Sequence, residues 1–140
     1  MLEKAHVEAV IHCGDICDQD ILALFAGTPL YYVMGNNDDD AELRQAAQQL
    51  DQFQYLQLGS VIDLAGKRLG VTHGHVQRVV NDLIRQAPDY LLSGHTHCAT
   101  DERLYGIRCI NPGALHRAGE YSVATLNLIT DELQFLPVRS

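Results

Sequence analysis

The sequence predicts an α/β fold in which two β-sheets pack together with helices outside, and three observations predict it. Four short apolar runs rich in β-formers each close on glycine or a polar turn. Stretches of helical period lie between these runs, and two further segments read as antiparallel hairpins. Parallel βα units and hairpins in one chain bury their apolar faces together when sheet packs on sheet and helices cover the outer faces.

Taken in order, Ala9-Val10-Ile11-His12-Cys13 is the first run, closed by Gly14-Asp15, and Met1 to His6 before it reads as the tail of a helix entering the strand. Asp18 caps a short helix carrying Ile21, Leu22 and Phe25. Leu30-Tyr31-Tyr32-Val33-Met34 is the second strand and ends in Gly35-Asn36-Asn37-Asp38. Asp39 or Asp40 then caps a longer helix with Leu43, Ala47, Leu50 and Phe53 on one face. Val61 to Thr72 reads as a hairpin joined at Ala65-Gly66-Lys67, and its second arm, Leu69-Gly70-Val71-Thr72, runs into His73-Gly74-His75. A helix near Val76 to Ala87 places Val79, Val80, Leu83 and Ile84 inward and is stopped by Pro88. Tyr90-Leu91-Leu92-Ser93 is the fourth run, ending in Gly94-His95-Thr96-His97, and Ser122 to Val138 is a second hairpin turning near Thr130-Asp131. With no repeat, linker or low-complexity stretch, residues 1–140 are expected to form a single domain.

A chain of 140 residues with 46% apolar content can bury a real core without staples. It carries no apolar stretch long enough to span a bilayer and no charged-then-apolar leader, so a cytoplasmic location without a membrane partner is expected. Cys13, Cys17, Cys98 and Cys109 have neither zinc-ribbon spacing nor a CxxC pair and read as reduced, packed thiols. The net charge of -8 disfavours nucleic acid and anionic membrane, which reward dense Lys and Arg, and suits a cation site.

Every one of the four strands ends on metal-binding residue types, and in a parallel sheet the carboxyl ends of the strands lie along one edge, where ligands bind. Asp15 offers two oxygens and can bridge two cations, Asn36 offers a carbonyl oxygen, and His73, His95 and His97 offer imidazole nitrogens. Such a mixed set suits Mn, Fe, Zn or Co better than Mg or Ca. In an extended or turning segment, His95 and His97 are two apart and point the same way, so both reach one centre. Two metals ~3.5 to 4 Å apart lower the pKa of bound water toward ~7 and stabilise attacking and leaving oxygens together. This is chemistry for phosphate esters.

The order Gly14-Asp15, Gly35-Asn36-Asn37-Asp38, His73-Gly74-His75 and Gly94-His95-Thr96-His97, with Asn111-Pro112-Gly113 after it, resembles the calcineurin-like metallophosphoesterase superfamily in its small bacterial and archaeal phosphodiesterase branch. The resemblance covers nearly the whole chain. It implies a four-layer αββα sandwich of two mixed β-sheets, two divalent metals per site with Mn foremost and Fe, Zn, Ni or Co as alternatives, and phosphodiester hydrolysis by a bridging hydroxide. By it Asp15 bridges both metals, Asn36, His73 and His95 complete one site, and His97 belongs to the other.

Two departures qualify that likeness. Superfamily members begin with a strand ending in D-x-H that supplies the remaining ligands of the second metal, and residues 1–140 contain no D-x-H. An upstream βα unit of about thirty residues, with what would be a central strand, is therefore expected to be absent, leaving a chain that is marginally stable or homo-oligomeric. Asn37 stands where many relatives carry a histidine able to protonate a leaving group, and a carboxamide has no proton of that kind. Asn37, His75 and Arg117 are expected to contact a small phosphate-ester substrate. Asp38 is expected to orient its turn, His6 and His12 to be structural, and His116 to sit in a solvated loop. Two other readings stay open: a binding scaffold that keeps the fold without turnover, and a phosphomonoesterase or nuclease.

Overall fold

A computed structural model describes residues 7–16, 19–115 and 117–138. In chain order the elements are β1 (Val10–His12), α1 (Gln19–Ala23), β2 (Leu30–Tyr32), α2 (Asp40–Gln49), β3 (Phe53–Tyr55), β4 (Gly59–Leu64), β5 (Lys67–Thr72), α3 (Gln77–Arg85), β6 (Tyr90–Leu92), β7 (Thr100–Leu104), β8 (Ile107–Asn111), β9 (Ser122–Asn127) and β10 (Glu132–Pro137). Met1 to His6 and Asp18, expected to supply a helix tail and an N-cap, lie outside the described residues, as do Cys17 and His116.

Alternation along the strands divides the apolar side chains among three cores, which define four layers. Leu30 and Tyr32 of β2 face Leu22, Leu43 and Ala46 of the first two helices. Val33, just beyond β2, turns the other way and joins Leu69, Val71, Tyr90, Leu92 and Ile110 between the sheets. Leu91 and Ile107 look outward onto Val79 and Leu83 of α3. The layers therefore run helices, sheet, sheet, helix, as expected. The first sheet is parallel, in the order β1-β2-β3. The second is mixed, in the order β4-β5-β6-β8-β7, and β9 and β10 pair as a separate two-stranded sheet among the described residues.

Turn chemistry explains the hairpins. Ala65 and Gly66, at φ 51° and 78°, make the two-residue loop between β4 and β5. Tyr105 and Gly106, at φ 55° and 78°, repeat that geometry between β7 and β8. Two central residues at positive φ match the right-handed twist of paired strands. Asp39 caps α2, its Oδ1 accepting from the amides of Ala41 at 2.9 Å and Glu42 at 3.2 Å. Val79 and Leu83 are buried on α3, with Val80 and Ile84 packed beside them, as expected.

Two apolar faces differ from expectation. α2 ends at Gln49 with Leu50 extended at φ -136°, and Phe53 lies in β3, paired with Leu30 and 6% exposed. Strand pairing and the edge-on contact of Tyr32 with Phe53, 6.3 Å between ring centroids, override a helical spacing that happened to continue past the helix. Ile21 is 38% exposed, because Leu22 of α1 and Phe25 just beyond its end face the core.

A polar network ties the small sheet to the large one. Arg108 on β8 forks onto Asp101 of β7 at 2.9 Å and onto Asp131 of the β9–β10 turn at 2.9 Å. Tyr90 donates its hydroxyl to the same Asp131 carboxylate, and Arg103 adds a contact at 3.1 Å.

Candidate metal centre

The carboxyl ends of β1 and β2 in one sheet meet those of β5 and β6 in the other, and His73 is the point of contact. Its side chain is 2% exposed. Nδ1 lies 2.7 Å from the carbonyl of Cys13, which can only accept, so Nδ1 carries the proton and donates. The opposite nitrogen, Nε2, faces Asn36 Oδ1 at 2.9 Å, His95 Nδ1 at 3.3 Å and Asp15 Oδ2 at 3.4 Å. A proton on Nε2 could satisfy one of these three; a divalent cation satisfies all.

The donor set fits such an ion on two counts. A carboxylate, a carboxamide oxygen and two imidazoles are the hard and borderline ligands of a first-row transition metal. Metal–ligand bonds of ~2.0 to 2.2 Å at right or tetrahedral angles place neighbouring ligand atoms roughly 2.8 to 3.6 Å apart, which spans the three separations measured from Nε2. The carbonyl that orients the far side of His73 is the usual second partner of a metal-bound imidazole. The side chains gather around Nε2 without forming a complete shell: among the described residues no three His, Cys, Asp or Glu side chains, these included, have the geometry of a bound ion.

Glycine makes this convergence sterically open. A Cβ on Gly14 would lie 2.6 Å from His73 Nδ1, and one on Gly35 would lie 2.2 Å from Asp15 Oδ1 and 2.3 Å from Asp15 N. The site also contains left-handed backbone: Asp15, His95 and His97 sit at φ 57°, 70° and 61°. Such conformations cost ~1–3 kcal/mol each and persist where surrounding contacts over-determine them.

The other expected site residues are placed as follows. Asn37 holds the Asp15 carboxylate from two sides, its backbone N–H donating to Oδ1 at 3.1 Å and its Nδ2 to Oδ2 at 3.3 Å. His75 stands beside the cluster, its ring 5.2 Å from that of His73 and 6.1 Å from that of His95. Desolvation, then the neighbouring His73 and His95, push its pKa below the ordinary imidazole value, and its buried Nδ1 has no hydrogen-bond partner among the described residues. Asp38 orients its turn, Oδ2 accepting from Gly35 N at 2.8 Å. His12 is structural, Nδ1 accepting from Gly14 N at 3.2 Å, and burial pushes its pKa down. Cys13 is a packed thiol whose pKa burial pushes up to about 12.

His97 is held by a different partner from His95. Both residues are left-handed rather than extended, so the two-residue alternation fails, and His97 Nδ1 meets the carbonyl of Arg117 at 3.2 Å. Arg117 is exposed, 20 residues from His97 in sequence. Sequence reasoning missed Asn111 and Ser122, buried at 3% and 8%; the only signal was the Asn-Pro-Gly turn.

The description "calcineurin-like phosphoesterase superfamily domain" matches residues 1–131. The chain belongs to this superfamily. A phosphodiesterase of Methanocaldococcus jannaschii is 28% identical over 112 residues, 77% of this chain and 68% of that protein. A probable metallophosphoesterase of the same organism is 29% identical over 122 residues, 80% of this chain and only 55% of its own length. Among solved structures, an archaeal phosphodiesterase superposes with a TM-score of 0.86 at 24% identity, covering 98% of this chain and 87% of that one. The phosphoesterase YfcE from E. coli superposes at 0.60 with 18% identity, covering 99% and 88%. These likenesses show the fold and place the chain in a hydrolase superfamily that takes divalent metal ions.

Proposed function

We propose that this calcineurin-like phosphoesterase is a metal-dependent hydrolase of small phosphodiesters. The convergence of Asp15, Asn36 and His95 on the bare Nε2 of His73 carries the reading. Asp15, Asn36, His73 and His95 would hold one cation, with His97 and Asp15 contributing to a second. Divalent cations held there would supply a nucleophile at neutral pH and stabilise charge on the phosphoryl oxygens. Mn is the first metal to test, before Fe, Zn, Ni and Co.

The chain's own groups then divide the work. Cys13 O keeps the His73 ring in one tautomer and orientation, and Asn37 fixes the Asp15 carboxylate. His75 and Arg117 are the groups offered to substrate oxygens. Asn37 supplies no proton to a departing alkoxide, so leaving groups that depart as stable anions should be preferred. A small, cytoplasmic ester rather than nucleic acid suits the net charge of -8, and self-association is part of the same proposal. The same Asn37 favours a second reading, in which the fold serves as a scaffold without turnover.

Purified protein supplied with Mn should hydrolyse bis(p-nitrophenyl) phosphate, and His73→Ala should abolish it. Wild-type protein that binds the metal but turns over no diester, monoester or nucleotide would leave the scaffold reading standing.

A further inference from the structure

We infer that Asn111 is a positioning residue for the His95–His97 loop, its buried carboxamide holding the strained turn that aims the His95 imidazole at His73. Asn111 ends β8 and is 3% exposed. Its Nδ2 donates to Gly94 O and to Thr96 Oγ1, each at 3.0 Å, while its Oδ1 accepts from Gly113 N at 2.9 Å. One neutral amide thus ties the Gly94–Thr96 loop to the Asn-Pro-Gly turn.

The carbonyl it grips closes the turn around His95. Gly94 O also accepts from Thr96 N at 2.8 Å, an i to i+2 bond around a central residue at φ 70°. That is a γ-turn of the strained hand, rare unless the surroundings hold it. Gly94 N meanwhile donates to His73 O at 3.0 Å, so Gly94 is pinned from both sides. The anchor is itself rigid: a Cβ on Gly113 would lie 1.9 Å from Ser122 Oγ, and Ser122 donates to Pro112 O at 2.8 Å.

The chemistry requires a neutral carboxamide of this length. Asn111→Asp keeps the acceptor for Gly113 but sets a carboxylate oxygen against Gly94 O, with no donor for either loop oxygen. Released from its anchor, the γ-turn relaxes and the His95 ring loses its aim. The importance of that aim rests on the metal reading above; the anchoring itself does not.

The test therefore has two arms. Titration with cobalt(II) chloride, followed by visible ligand-field absorption, should show Asn111→Asp and Asn111→Ala binding ~10 to 100-fold more weakly than wild type, with an altered spectrum. In metal-free protein, the Thr96 amide should exchange at least ~10-fold faster in both variants. Thr96→Val removes one of the two links and should show a smaller loss in the cobalt arm. Leu83→Ala, which lowers stability on the α3 side of the large sheet, should leave cobalt affinity and spectrum unchanged. Asn111→Asp with wild-type cobalt affinity, spectrum and Thr96 exchange overturns the inference. If wild type binds no cobalt, the metal reading fails and the exchange arm alone decides. If both Asn111 variants fail to fold, Thr96→Val decides in the cobalt arm, unchanged affinity and spectrum overturning the inference.

Discussion

Gly35→Ala should damage the centre without touching a ligand. A Cβ at position 35 would stand 2.2 Å from Asp15 Oδ1 and 2.3 Å from Asp15 N, while φ at Gly35 lies outside the left-handed region. The conflict is therefore steric and not conformational. A side-chain oxygen can rotate away, but a backbone nitrogen cannot, so relief requires moving one strand end by about 1 Å to restore ordinary contact. Overpacking of this kind costs ~1–3 kcal/mol of stability. A displacement of ~1 Å at a reacting centre costs roughly 100-fold in rate, or ~2.7 kcal/mol. The assay is Mn titration by calorimetry beside thermal melting in chelator, with Gly119→Ala as the control, where a new Cβ meets nothing within 4 Å. Gly35→Ala should bind Mn at least ~10-fold more weakly and melt earlier, and the control should match wild type. Wild-type affinity and melting in Gly35→Ala would refute the close approach of the two strand ends.

Three further outcomes are expected. Arg108 holds the Asp101 carboxyl below the usual carboxylate range, and the Tyr90 hydroxyl, then Arg108, do the same for Asp131. A depressed folded value contributes stability that is present above ~pH 4 and lost as pH falls through the folded values, so urea midpoints should drop below pH 4 and drop less in Arg108→Gln. Leu83→Ala, in a side chain 2% exposed, should cost ~2–4 kcal/mol by chemical denaturation, and a loss under ~1 kcal/mol would count against the tight fit of α3 on the large sheet. In a series of aryl phosphodiesters, rates should fall steeply with leaving-group pKa, and Asn37→His should flatten that slope; an unchanged slope would show that position 37 does not face the leaving group.

The residues that meet at His73 were legible because strand ends announce themselves: an apolar run, then glycine, then a donor. The parallel arrangement brings such ends to one edge whatever their separation in sequence. Elements defined by pairing alone were not legible. β7, Thr100-Asp101-Glu102-Arg103-Leu104, is exposed along its whole length, so no apolar alternation marks it, and only its ladder with β8 makes it a strand. β3 was absorbed into the helical spacing of α2 because no glycine or proline separates them. The direction of His97 depends on left-handed backbone at two successive histidine positions, which residue identity does not announce. Asn111 looked like part of a turn because its work is done across 17 residues, on Gly94 O.

Metal content after equilibration with Mn and removal of free ion, measured by elemental analysis on wild type, Asn36→Ala and His73→Ala, tests most directly whether the lone pairs around His73 Nε2 form a cation site. Wild type should retain at least one Mn per chain and both variants should lose it. Equal metal content in all three proteins would contradict the assignment.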